Sequence, residues 1–133
     1  MPASWKDSCE AIEACYEFLL AYAAQGLPGD EGSSSGGQLR EMLRGAAEAL
    51  AGIAEAYRDA VTGLEPADRY RAFHAVLERD ARDAAAAVEL VLAQPSLSSQ
   101  LIDNLNASIH LRALLTDLFL ADEILKAHHV PAQ

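Results

Sequence analysis

Apolar positions recur every three or four residues along almost the whole chain, which is the period of helices with one face turned to a core. In a first stretch, from about Ser4 to Gln25, Trp5, Cys9, Ile12, Cys15, Tyr16, Phe18, Leu19, Tyr22 and Ala23 fall on one broad face. Lys6, Glu10, Glu13 and Glu17 fall on the other. Ser4 and Asp7 have the S-x-x-D spacing that caps a helix start, and Gly26 supplies a stop. A second stretch, about Gln38 to Thr62, carries the row Leu39, Leu43, Ala46, Leu50, Ile53, Tyr57, Val61 between a Ser35/Gln38 capping box and Gly63. A third begins at Pro66 and runs to about Gln94, where Pro95 blocks extension; its row is Tyr70, Phe73, Leu77, Ala81, Ala84, Val88, Val91.

The fourth stretch, from near Ser98 to about His128 with Pro131 as its stop, has a different pattern. Its leucines, isoleucines and Phe119 occupy most of the circumference, leaving narrow polar stripes through Asp103, His110, Asp117 and through Arg112, Thr116, Glu123. A helix apolar nearly all round is covered on more than one side. No stretch alternates with the period of a strand, and none repeats at a solenoid period.

Leu27 to Gly37, LPGDEGSSSGG, lacks periodicity and reads as a flexible Gly/Ser-rich connection, residues 27–37. It is no phosphate loop, because the terminal Gly-Lys-Ser/Thr is missing. The two later connections are a few residues long and force antiparallel neighbours, while a parallel return across the first connection would need it almost fully stretched. The expected fold is therefore all-α: one domain over residues 1–133, an up-down-up-down antiparallel four-helix bundle. The excess apolar surface of the last helix predicts a homodimer formed through it.

Composition narrows the partners. Twenty Asp and Glu against ten Lys and Arg give a formal charge of −10, and no basic cluster is present, which argues against nucleic acid and anionic membrane surfaces. Cys9 and Cys15, six apart on one helix, point roughly 120° apart and cannot pair with each other. They read as small core residues of a cytoplasmic protein. That location also fits the absence of a basic, apolar leader in Met1 to Lys6 and of any apolar run of about 18 residues.

The chemistry open to a four-helix bundle is a carboxylate-bridged metal pair, which needs Glu-x-x-His on two helices. No glutamate here has a histidine three residues on, and Cys-x-x-Cys and His-Glu-x-x-His are absent, so neither metal nor cofactor is expected. Asp103, His110 and Asp117, seven apart, are too widely spaced to share one ion, and adjacent His128 and His129 make an adventitious site at most. His74 lies at the edge of the third apolar row. Counting away from the turns on either side puts Tyr57, and Asp117 or Leu118, level with it, so that Tyr57, His74 and Asp117 could converge at one end of the bundle. A histidine with carboxylate and phenol neighbours can move protons or orient a ligand, although a half-buried structural histidine accounts for the same pattern. The expected function is that of a noncatalytic protein-binding accessory, assembly or regulatory factor acting through its helix faces, with the acidic outside of the first helix as docking surface. The alternative is a bundle that binds a small ligand or cofactor in a pocket near Tyr57 and His74. An enzyme using His74 ranks last, since no catalytic spacing survives.

Overall fold

The computed structural model describes residues 3–128, and every regular element among them is helical. The elements are α1 (Trp5–Ala24), α2 (Ser34–Ala60), α3 (Ala67–Leu92), α4 (Ser99–Ala107) and α5 (Ile109–His128). Five helices stand where the sequence pattern implies four, because the fourth stretch breaks at Ser108. There the backbone turns extended, with φ −65° and ψ 140°, and the Ser108 hydroxyl accepts the Leu111 N–H at 3.3 Å. Serine favours such a cap because its short hydroxyl replaces the carbonyl that the first turn of a helix lacks. His129 and Pro131 lie outside the described residues.

Other helix ends follow their local chemistry. The Ser4 hydroxyl accepts the Asp7 N–H at 3.1 Å, and the Ser98 hydroxyl accepts that of Leu101 at 3.0 Å. The second helix starts at Ser34, inside the stretch assigned to the connection, with Ser33 as its cap: the Ser33 hydroxyl accepts the Gly36 N–H at 3.0 Å. Gly36 is buried, and a Cβ there would collide with the Asp30 carbonyl, so the chain passes itself too closely for any side chain. Pro66 stands one place before α3 instead of within it.

The apolar rows meet in one core. Leu19, Tyr22, Leu39, Leu43, Ile53, Leu77, Ala84, Val88, Leu97, Ile102, Leu114 and Leu118 are almost wholly buried within it. Helix α1 packs on α2 and α4, α2 on α3, and α3 on α5. The break at Ser108 makes this division possible, since one half of the last stretch lies on α1 and the other on α3.

Polar contacts fasten the ends. The Tyr22 hydroxyl donates to the Leu97 carbonyl at 2.7 Å, and the buried Ser99 hydroxyl donates to the Tyr22 carbonyl at 2.7 Å while accepting the Leu27 N–H at 2.8 Å. Asp30 accepts from Arg40 Nε at 2.6 Å and from the Leu97 N–H at 2.7 Å. The Arg40 hydrogen bond, reinforced by that backbone donor, holds the Asp30 carboxyl down at about 2. Arg40 reaches on to the Leu92 and Gln94 carbonyls at 3.2 and 3.1 Å, so one guanidinium ties the start of α2 to the end of α3.

Candidate functional site

At the opposite end, aromatic residues from three helices form a chain. Trp5 of α1 meets Tyr57 of α2 edge-on at 5.9 Å between ring centroids, and Tyr57 meets Phe73 of α3 at 6.0 Å. The Tyr57 hydroxyl donates to the Tyr70 carbonyl at 3.0 Å, which spends the only proton of a phenol that burial pushes upward. Trp5 Nε1–H donates to Asp122 of α5 at 3.1 Å, so α5 ends beside the start of α1.

These rings back a groove of about 300 Å³ between α3 and α5. Tyr57, Pro66, Tyr70 and Phe73 wall one side and Leu120, Ala121, Ile124 and Leu125 the other, with Arg69 as the single charged lining residue among those described. Leu120 and Ile124 remain 51% and 40% exposed. The α3 side is fixed from behind by the Trp5–Tyr57–Phe73 contacts, so the groove exists before anything enters it. Its volume falls at the lower end of the range for small-molecule pockets, and its wall is mainly apolar, as such pockets are.

A second hollow of about 490 Å³ adjoins it and shares Tyr57 and Tyr70. Arg58, Arg71, His74 and Glu65 line it around the turn at Gly63. That turn needs glycine, since φ is +84°, a left-handed conformation that side chains disfavour. The His74 ring lies 6.3 Å from that of Tyr57, with Arg58 Nη2 3.4 Å from its Nε2. A guanidinium can only donate, so this nitrogen of a neutral His74 ring is the acceptor.

Tyr57 and His74 are thus brought together, and Asp117 sits elsewhere. Opposite Tyr70 and Phe73 stand Leu120 and Ile124, so Asp117 lies further along α5, against Asp80 of α3. Asp117 is 9% exposed, and its Oδ2 has no hydrogen-bond donor among the described residues. Burial, then the hydrogen bond and charge of Asp80, raise the Asp117 carboxyl to about 7. A proton shared with Asp80 turns a repulsion into a hydrogen bond. Among the described residues no carboxylate hydrogen-bonds His74, and the Tyr57 proton is already committed to the Tyr70 carbonyl.

Sequence reasoning missed Asp80, which lies beside the apolar row of α3, three residues after Leu77. It also missed the facing of Leu120 and Ile124 onto Tyr70 and Phe73. The remaining candidates are dispersed. Asp103 and His110 are exposed on different helices, and no three His, Cys, Asp or Glu side chains converge among the described residues. Cys9 and Cys15 are free and buried, and burial pushes both thiols up to about 12, with nearby acids adding to the effect at Cys9. No described helix is long and apolar enough to cross a membrane. Compared with protein-family models, curated proteins and solved structures, the chain matches none.

Proposed function

We propose that this chain is a noncatalytic binding protein that takes a small apolar ligand into the groove between α3 and α5. The scaffold in this reading is an up-down-up-down antiparallel bundle of four rods, the fourth divided into α4 and α5. The observation that carries the reading is the preformed wall of Tyr57, Tyr70 and Phe73, faced by Leu120 and Ile124, which the core leaves half uncovered. Covering those side chains supplies the driving force for a ligand.

Titration with the neutral fluorophore N-phenyl-1-naphthylamine tests this. Saturable binding is expected, with quenching of Trp5, the only tryptophan, whose ring touches the Tyr57 that backs the groove. Leu120→Ser trims one wall at an exposed position and is expected to weaken binding about fivefold, the loss of about 1 kcal/mol of apolar contact. An absence of saturable binding, or binding indifferent to L120S, defeats the reading.

A second reading keeps the protein-docking role, with a second copy of the chain as the partner. Phe119 and Ile109 of α5 favour it, since both are exposed, at 54% and 73%, and neither lines the groove. The acidic outer face of α1 contributes less, because scattered exposed carboxylates are the ordinary surface of an acidic chain.

A further inference from the structure

The groove carries a charge opposite to that of the chain. Acidic residues outnumber Lys and Arg twenty to ten, yet among the described residues the only charged side chain lining the groove is Arg69. Arg69 is exposed and takes part in no ion pair among the described residues, whereas Arg40 is held by Asp30 and Arg58 by Glu55. Among the described residues, the adjoining hollow adds Arg58 and Arg71 against a single Glu65, whose Oε1 already accepts the Ala67 N–H at 3.3 Å. Helix α3 begins at this rim, where Glu65 and the first-turn Asp68 already complement its dipole, so the positive charge at the groove is that of Arg69 itself.

An apolar trough ending at an unpaired guanidinium fits a molecule that is greasy along its length and negative at one end. Resting on the groove reading above, we infer that the ligand is a single-chain carboxylate amphiphile. Its tail lies along Phe73, Leu120 and Ile124, and its head is bound by Arg69. The guanidinium suits this head because its planar fork can meet both carboxylate oxygens at once. One charged wall residue matches one negative charge, and the volume limits the tail to a short or medium chain.

Displacement of N-phenyl-1-naphthylamine by decanoate and by decanol separates tail from head. Decanoate is expected to compete, and Arg69→Met to weaken decanoate about fivefold more than it weakens decanol or the fluorophore, since methionine retains the apolar stem without the charge. Added salt is expected to weaken decanoate alone. If decanol and the fluorophore bind but R69M moves decanoate no more than decanol, the head assignment falls and the groove reading stands. If neither neutral compound binds, the groove reading itself falls. Cosedimentation with phosphatidylglycerol vesicles distinguishes a dissolved ligand from a lipid in a bilayer: the protein is expected to stay in the supernatant, and pelleting with the vesicles overturns the assignment to a dissolved carboxylate.

Discussion

The Asp80–Asp117 pair shows how one side chain can set a pH response. Asp117 holds its proton in the folded chain up to about pH 7, whereas an unfolded aspartate releases it near 3.8. Between those values the folded state binds more protons than the unfolded one, so this group's contribution to stability declines as pH rises from about 4 to about 7, then levels off. Asp30 has the opposite sign: its contribution is present above about 4 and is lost as pH falls toward 2. Asp117→Asn replaces the titrating proton with a permanent donor to Asp80. The variant is expected to exceed the parent in stability by on the order of 2 kcal/mol at pH 8, with the difference shrinking toward pH 5. Urea unfolding at the two pH values checks this, and a constant difference refutes the shared proton. The meeting of Tyr57 and His74 was legible in the sequence because only one short turn separates them. The placement of Asp117 was not, because that count ran along the fourth stretch as if it were one straight helix. The stretch is divided at Ser108, and Asp117 meets Asp80 of α3 instead.

Among the elements, the core-facing rows were readable because burial imposes a period that no local signal can counterfeit over twenty residues. All seven positions read from Leu39 to Val61 lie at or next to the core, as do those from Leu77 to Val91. Boundaries were less readable where two caps compete. Ser33 and Ser35 are both good caps, and the choice of Ser33 depends on Gly36 passing against Asp30, a tertiary contact that spacing does not reveal. Gly36→Ala is therefore expected to destabilise the chain by about 2 kcal/mol, although alanine is the better helix former. The control is Gly45→Ala, an exposed helical position with open space around its Cβ, where the same change is expected to stabilise slightly. Thermal melts of the two variants should move in opposite directions. Equal stabilisation would mean that the close approach of α2 to Asp30 is absent in solution.

At the scale of the molecule, the last stretch still leaves large apolar side chains uncovered. Breaking the rod at Ser108 covers much of it by giving α4 to α1 and α5 to α3, yet Phe119, Leu120 and Ile124 of α5 remain at least 40% exposed. Helix α5 has twenty residues and is about 30 Å long, which gives a second copy of the chain an extended edge to pack along. A dimer on this face and a ligand in the groove both cover Leu120 and Ile124, which makes them competitors. Sedimentation equilibrium at micromolar concentration is expected to show a dimer, and saturating decanoate to shift it toward monomer. Phe119 separates the two uses, since it is exposed on α5 without lining the groove. Phe119→Lys is expected to give a monomer that retains its affinity for N-phenyl-1-naphthylamine. A parent chain that sediments as monomer, or an F119K variant that still dimerises, removes α5 as the interface. Loss of fluorophore binding in F119K would instead show that the groove is completed by the second copy, so that ligand and partner act together instead of in competition.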